Sequence, residues 1–164
     1  MGLSLSPDGW AEIDSLLAAL ARDGRHPLTR EQLDALVAAD AKQRYSYDPA
    51  GRRIRANQGH SLPVDLGLPE SAPPAVLHHG THRGALRAIR RQGLRPMGRH
   101  AVHLSADAES AAAVGARRGE PVVLRVDAAG MHRDGHRFQR SENGVWLVAA
   151  VPARYLREPG ARLA

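Results

Sequence analysis

The feature that most constrains this chain is a proline-rich segment near its middle, "LPVDLGLPESAPPA" at residues 62–75. The segment holds four prolines, two acidic residues and no aromatic residue. Proline lacks a backbone N–H donor and restricts the residue before it, so such a stretch interrupts helices and strands. We therefore predict two lobes, residues 1–65 and residues 76–164, joined by a linker at residues 66–75.

Upstream of the linker, apolar residues recur at helical spacing in two places. The first helix is predicted over residues 10–20, with an apolar stripe formed by Ile13, Leu16, Leu17 and Leu20. The second helix is predicted to begin at Thr29, whose hydroxyl can cap it, with Gln32 three residues later. Its predicted buried stripe consists of Leu33, Leu36 and Val37.

A β-hairpin is predicted after these helices. The β-like runs "RYSYD" (44–48) and "RRIRA" (52–56) flank the turn "PAG". Side chains alternate along a strand, so Arg53 and Arg55 should share one face and Arg52 the other. Two helices followed by a hairpin favour a winged-helix-like lobe, a basic module often placed against nucleic acid.

Downstream of the linker, short β-like runs alternate with helical patterns, which predicts an α+β lobe. The predicted strands are "AVLHHGT", "AVHLSA", "PVVLRVDA" and "VWLVAAV". The predicted helices are "RGALRAIRRQGL", with Leu86 and Ile89 buried and an end at Gly93, and "DAESAAAVGARRG", which ends at Gly119. The segment "GMHRDGHRFQRSENG" is predicted to be a polar loop between the last two strands.

Composition excludes several classes of site and location. The chain has no cysteine, which removes disulfides, thiolate nucleophiles and cysteine-based zinc sites. The histidines, such as His78, His79 and His82, do not follow a recognisable zinc-ligand spacing, so we expect no metal. No apolar run approaches the ~20 residues that span a membrane, and no signal-peptide layout is present, so we expect a cytoplasmic protein.

Positive charge is concentrated in arginine. The formal net charge is +6 and Lys42 is the only lysine. Arginine's planar fork can hold phosphate oxygens by two parallel hydrogen bonds. Arg53 and Arg55 on the predicted strand, together with the pair at 117–118, therefore suggest a phosphate site between the lobes. A merely solvated basic surface is the alternative.

The tripeptide His79-Gly80-Thr81 ends a predicted strand, where a glycine between two hydrogen-bonding side chains would let a ligand approach the backbone. An ordinary strand end is the alternative. Neither a G-x-S-x-G nucleophile elbow, a GxGxxG fingerprint nor a phosphate-binding P-loop occurs, which argues against a serine hydrolase, a Rossmann dehydrogenase and a P-loop nucleotidase.

Six separated segments nevertheless occur together in an order and spacing that resemble one family. They are "GLSLSPDGWAEIDSLL", "KQRYSYDPAGRRIRANQGHS", "LHHGTHRGALRAIRRQGL", "RHAVHLSAD", "VGARRGEPVVLRVDAAGM" and "FQRSENGVWLVAAVP". These segments are similar to those of the NAD-dependent RNA 2′-phosphotransferases known from tRNA splicing. The resemblance implies a winged-helix-like N-terminal lobe, followed by an ADP-ribosyltransferase-fold C-terminal lobe, with NAD and RNA meeting in the cleft between them.

The activity implied by this resemblance is the removal of an internal RNA 2′-phosphate. The phosphate attacks the anomeric carbon of the nicotinamide ribose and expels nicotinamide. The ribose 2″-hydroxyl then attacks phosphorus, releasing RNA with a free 2′-hydroxyl and ADP-ribose 1″,2″-cyclic phosphate. Since the substrates bring both the nucleophile and the leaving group, the protein mainly has to orient them and neutralise charge. The partners that the resemblance implies are NAD and a 2′-phosphorylated RNA, and we expect the protein to be a monomer.

Residue by residue, the resemblance implies two catalytic arginines, Arg55 in "IRANQGHS" and Arg117 in "VGARRG", within the family's Arg-His-Arg-Arg set. The implied NAD-binding residues are His79, Gly80, Thr81, His103, Ser105, Asn143 and Val145. Among them, His79, His103 and Val145 match the positions that fingerprint this branch of ADP-ribosyltransferases. The implied RNA-binding residues are Gln58, His60 and Ser61.

The sequence departs from the family pattern at its start. The family's first Arg and His stand side by side at the end of a helix just upstream of "GLSLSPDGW", and Met1 falls at the start of that stretch, so we expect both residues to be missing. Two alternatives therefore stay open. One is an ADP-ribosyltransferase acting on terminal phosphates of RNA or DNA, and the other is a noncatalytic NAD- or RNA-binding relative.

Overall fold

A computed structural model of the chain describes residues 3–60 and 64–159. Contacts between residues divide the chain into a first unit, Met1–Gly67, and a second unit, Leu68–Ala164. The described parts contain several helices and small antiparallel sheets, which confirms the predicted α+β class. None of the helices described is long and apolar enough to cross a membrane.

Within residues 3–60 and 64–67, the first unit contains two helices and a three-stranded sheet. Its elements are β1 (Ala11–Glu12), α1 (Ile13–Asp23), α2 (Arg30–Ala38), β2 (Tyr45–Tyr47) and β3 (Arg53–Ala56). The predicted hairpin is confirmed as β2 and β3, which pair antiparallel with Ser46 opposite Arg55. β1 adds to the other edge of β3, with Ala11 opposite Ile54.

Both helices of the first unit begin and end on local signals. α1 starts three residues later than predicted because Ala11 and Glu12 pair with β3. It ends at Gly24, whose left-handed backbone (φ +70°) lets its N–H donate to the Leu20 carbonyl. α2 has the predicted capping box, in which Thr29 accepts from the Gln32 N–H and the Gln32 side chain accepts from the Thr29 N–H.

The core of the first unit is small and is formed by Ala11, Ile13, Leu33 and Ile54. Val37 packs against this cluster as predicted, but Leu36 is 57% exposed, so its prediction as a buried residue is wrong. A nine-residue helix on so small a core buries only a narrow face, and Leu36 falls outside it.

In its described part, up to residue 159, the second unit contains two three-stranded antiparallel sheets and three α-helices. Its elements are β4 (Val76–His82), α3 (Leu86–Gln92), β5 (Val102–Leu104), α4 (Ala108–Gly115), β6 (Pro121–Asp127), α5 (Ala128–Arg133), β7 (Phe138–Arg140), β8 (Trp146–Val148) and β9 (Leu156–Arg157). The strand orders are β4-β6-β9 and β5-β8-β7. A bridge between His78 and Ser105, with both backbone hydrogen bonds at 2.8 Å, joins β4 to the β5 edge.

The predicted polar loop at residues 130–144 is wrong in part, because it contains the end of α5 and all of β7. Asp127 caps α5 by accepting from the Gly130 N–H at 2.9 Å. Met131 and Phe138, which look isolated among polar neighbours, are both fully buried in the core of this unit. The four strands predicted for this lobe are confirmed as β4, β5, β6 and β8. The two predicted helices are confirmed as α3 and α4, with Leu86 buried and Ile89 partly buried.

The end of the proline-rich segment pairs with β7. Glu70 forms an isolated bridge with Gln139, and the Ser71 N–H donates to the Phe138 carbonyl at 2.9 Å. The Gln139 side chain donates to the Leu68 carbonyl at 2.9 Å. Residues 68–71 therefore extend the β7 edge of the sheet with strand order β5-β8-β7.

Candidate functional site

Two histidines predicted to bind NAD lie on neighbouring strands of the second unit. His79 on β4 and His103 on β5 are both partly buried, and Nδ1 of His79 donates to the His103 carbonyl oxygen at 3.1 Å. Since a carbonyl oxygen can only accept, Nδ1 of His79 carries the proton and its Nε2 is an acceptor. Nε2 of His103 is buried and has no hydrogen-bond partner among the described residues.

Both imidazoles are neutral at neutral pH. Burial lowers the pKa of His79, and its hydrogen bond to the His103 carbonyl opposes this shift only in part. Burial, followed by the positive charge of Arg99, lowers the pKa of His103 to about 4. The pair therefore offers ring nitrogens for hydrogen bonding without adding positive charge.

The depressed histidine pKa values predict a pH-dependent stability. Unfolded histidine binds a proton near its ordinary pKa of 6.5, whereas folded His103 resists protonation down to about 4. The stabilisation is therefore complete above pH 6.5 and is lost as the pH falls towards 4. In urea unfolding, His103→Gln should reduce this loss by roughly 2 kcal/mol, after allowance for partial exposure.

The control for this experiment is His132→Gln, which removes an exposed histidine from α5 of the same unit. Its unfolding free energy should follow that of the unchanged protein across the same pH range. An identical pH dependence in the His103→Gln variant and the unchanged protein would contradict the prediction.

Gly80 and Thr81 follow His79 on β4, where α4 packs at backbone distance. A Cβ on Gly80 would lie 1.7 Å from the Ala111 carbonyl oxygen, and one on Gly115 would lie 2.5 Å from the Thr81 carbonyl oxygen. Thr81 is buried. The close approach of α4 therefore requires a glycine at position 80, and the predicted role of Gly80 and Thr81 in NAD binding stays a prediction.

Ser105 and Val145 flank the last residue pair of two paired strands. β5 and β8 pair antiparallel with Leu104 opposite Trp146; Ser105 directly follows Leu104, and Val145 directly precedes Trp146. Asn143 lies in the turn before β8, where its side-chain oxygen accepts from the Ser141 hydroxyl at 2.7 Å. His79 thus lies on β4 and His103 on β5, whereas Ser105 directly follows β5, Val145 directly precedes β8, and Asn143 lies in the turn before β8.

Arg117 lies just beyond α4, in a short 3-10 helix (Ala116–Arg118). Its side chain is exposed and makes no hydrogen bond or ion pair with any residue that the structure describes. The preceding Gly115 packs on Thr81, so this helix end holds Arg117 close to the end of β4.

In the first unit, Arg55 stacks on an indole ring. Its guanidinium carbon lies 4.6 Å from the centre of the Trp10 ring, and that of Arg53 lies 5.5 Å from the same centre. Both arginines therefore share one face of β3, as predicted. Such cation–π contacts hold a guanidinium in a fixed orientation over the ring face.

Sequence reasoning missed Trp10 as part of this site. Trp10 is held by a turn in which its N–H donates to Ser6 Oγ and the Ser6 N–H donates to the Trp10 carbonyl, both at 2.9 Å. The next residue begins β1, whose pairing with β3 brings the indole over the arginines. The signal was available in "SPDGW", a turn that leads directly into an aromatic residue.

Two of the three residues predicted to bind RNA, Gln58 and His60, lie in the described part of the chain. Gln58 and His60 are partly buried and follow β3 directly. Nε2 of His60 lies 3.3 Å from the position that a Cβ on Gly9 would occupy, so His60 packs against the turn that holds Trp10. Ser61 lies outside the described residues.

No group of three or more histidine, aspartate or glutamate side chains within residues 3–60 and 64–159 is placed to hold a metal ion. The candidate residues instead form two sets. The second unit supplies neutral histidines on adjacent strands, and the first unit supplies an arginine stacked on an indole. Such groups can bind and orient an anion and a neutral heterocycle.

Comparison with known proteins gives consistent matches over nearly the whole chain. The family model described as RNA 2′-phosphotransferase, Tpt1 / KptA family, matches residues 1–150. A probable RNA 2′-phosphotransferase of Streptomyces coelicolor is 59% identical over 159 residues, covering 96% of this chain and 86% of the relative. Proteins of the same name from Burkholderia lata and Nostoc punctiforme are 53% and 48% identical, each over 96% of this chain and over 81% and 87% of the relative. The chain belongs to the RNA 2′-phosphotransferase family.

Proposed function

We propose that this protein removes an internal 2′-phosphate from RNA by transferring it to NAD. The products are RNA with a free 2′-hydroxyl, ADP-ribose 1″,2″-cyclic phosphate and nicotinamide. The observation that carries the proposal is the family match over residues 1–150, which includes every residue of both candidate sets. The geometry supports it, because the two sets offer what a dinucleotide and a phosphate require.

The NAD-binding role is proposed for the strands of the second unit. His103 Nε2 is buried without a hydrogen-bond partner among the described residues, so it suits a ligand that supplies one. His79 contributes its Nε2 acceptor, and Ser105, Asn143 and Val145 line the adjacent strand ends. Bound NAD supplies a ribose carbon with nicotinamide as leaving group. The neutral histidines orient it without opposing the positive charge that develops when nicotinamide departs.

The phosphate-binding role is proposed for Arg55 in the first unit and Arg117 in the second. A 2′-phosphate carries negative charge that must be neutralised and aimed at carbon, which a fixed guanidinium does better than a carboxylate. Trp10 holds Arg55 in place. We assign the first unit as a winged-helix-like RNA-binding lobe and the second as an ADP-ribosyltransferase-like lobe.

The test is incubation of the full chain with NAD and an oligoribonucleotide that carries one internal 2′-phosphate. Mass spectrometry should find the dephosphorylated RNA together with equal amounts of nicotinamide and ADP-ribose 1″,2″-cyclic phosphate, and no reaction without NAD. Retention of the phosphate would overturn the proposal. Stable ADP-ribose on a terminal phosphate would instead favour the transferase alternative.

Trp10→Leu should lower the rate constant of phosphate removal about twofold to thirtyfold, since a cation–π contact is worth about 0.5–2 kcal/mol. Trp10→Phe keeps an aromatic face and should retain most of the rate. The affinity for NAD, measured by titration calorimetry, should be the same in both variants. Equal losses in Trp10→Phe and Trp10→Leu would contradict a stacking role.

A further inference from the structure

One stretch of the chain lacks acidic residues. Residues 71–106 contain six arginines, five histidines and neither aspartate nor glutamate. At the chain average of 17 acidic residues in 164, about four would be expected in a stretch of this length. This acid-free stretch forms β4, α3 and β5 of the second unit.

Two arginines of the acid-free stretch are neutralised by acids from elsewhere. Arg83 binds Glu120 through two hydrogen bonds of 2.7 and 2.8 Å. Arg90 on α3 binds Glu158 in the same way, at 2.6 and 2.8 Å. Glu120 and Glu158 thus neutralise the positive charge of the acid-free stretch at these two positions.

Of the four other arginines of the stretch, the three that lie on α3 or directly after it have no such compensation. Arg87, Arg91 and Arg95 are exposed, and their side chains make no ion pair or hydrogen bond with any described residue. Arg87 and Arg91 lie one turn apart on α3, where like charges repel each other and destabilise a helix. An anion bound at these arginines would therefore reduce the repulsion between their charges.

The arginine group Arg87, Arg91 and Arg95 is connected through a short loop to β5, one of the strands proposed to bind NAD. The loop after α3 contains Arg95 and Arg99 and runs directly into β5, which carries His103. The charge of Arg99 is near enough to lower the pKa of His103. The basic segment thus extends from the exposed face of α3 to the edge of the candidate site.

We propose that Arg87, Arg91 and Arg95 form a surface that binds the phosphodiester backbone of RNA flanking the 2′-phosphate. Guanidinium groups bind phosphate oxygens in pairs, and spaced guanidiniums match a chain of phosphates better than a single small anion. This inference rests on the proposed function for the identity of the polyanion. The surface contacts backbone and not bases, so it binds RNA with or without a 2′-phosphate.

The test measures RNA binding by fluorescence anisotropy with single-stranded RNA of about 15 nucleotides, at salt concentrations from about 0.05 to 0.4 M. R87Q/R91Q should weaken binding roughly tenfold to thirtyfold at the lower salt concentrations. It should also reduce the slope of log affinity against log salt by about 1.4, because each phosphate contact contributes about 0.7. Adding R95Q should reduce the slope further.

The control is R125Q/R133Q, which removes the same charge from exposed positions of the second unit outside the acid-free stretch. Its salt slope should stay close to that of the unchanged protein. Equal effects of the two double variants would mean that overall charge governs binding, and would overturn the proposed surface. Thermal melting and NAD binding verify that each variant is folded.

The outcomes also separate this surface from the proposed function. If the unchanged protein leaves the 2′-phosphate in place but R87Q/R91Q still lowers RNA affinity and slope, the surface stands and the function fails. If phosphate is removed but R87Q/R91Q binds RNA like the unchanged protein, the function stands and the surface fails. Failure of the unchanged protein to bind RNA would overturn the surface.

Discussion

Arg55→Ala is expected to lower the rate of 2′-phosphate removal at least about a hundredfold, while the affinity for NAD stays unchanged. The guanidinium over Trp10 is the fixed charge proposed to bind the 2′-phosphate, and its loss leaves the developing charge of the transition state uncompensated. Arg117→Ala should behave in the same way. Single-turnover experiments at saturating NAD measure the rate of 2′-phosphate removal, and calorimetric titration measures the affinity for NAD.

Arg52→Ala is the matched control, because Arg52 lies three residues before Arg55 and is exposed, and its removal changes the net charge equally. It should reduce the rate by less than about threefold, as expected of a screened surface charge. A collapse of NAD affinity in Arg55→Ala would show that Arg55 serves the dinucleotide, and the role proposed for it would be wrong.

Gly80→Ala should destabilise the protein by about 3 kcal/mol or more. The added methyl group would lie 1.7 Å from the Ala111 carbonyl oxygen and 2.6 Å from its carbon. Both are helix backbone atoms, so relief requires α4 to move away from β4. Urea unfolding should show a lower midpoint with a similar slope.

Gly98→Ala supplies the comparison, since a Cβ at Gly98 would meet nothing within 4 Å. Its unfolding free energy should differ from that of the unchanged protein by less than about 0.5 kcal/mol. If both alanine variants were equally stable, α4 would not be packed on β4 as described.

Elements whose signals are local could be predicted from sequence. Thr29 and Gln32 cap α2 because the reciprocal hydrogen bonds span only three residues. Gly93 ends α3, and the "PAG" turn fixes the hairpin, for similarly local reasons. Such features depend on side chains a few residues apart, which the sequence places next to each other.

Elements that depend on distant partners could not be predicted this way. β1 is only two residues long, and Ala11 and Glu12 become a strand only because β3 offers them hydrogen bonds. β7 was hidden in a polar stretch because Phe138 is its single buried apolar residue, and it pairs with β8 and with the chain near Glu70. Hydrophobic periodicity carries little information about such short segments.

The candidate site divides in the same way. The alternation of Arg53 and Arg55 on β3 was predictable from strand geometry, and the roles of His79 and His103 came from the family resemblance. The turn that ends at Trp10 was visible in "SPDGW", but the arginine on which Trp10 stacks was not predictable, since this contact follows from the β1–β3 pairing. The packing requirement at Gly80 likewise depends on α4, which lies thirty residues along the chain.

The pairing of β1 with β3 also fixes an order of assembly during synthesis. Residues 11–12 leave the ribosome long before residues 53–56, with both helices of the first unit between them. Until β3 emerges, Trp10 has neither arginine beneath it, and the chain can build α1 and α2 but not the sheet edge they support. The proposed phosphate-binding arginine is therefore among the last parts of the first unit to reach its final position on a nascent chain.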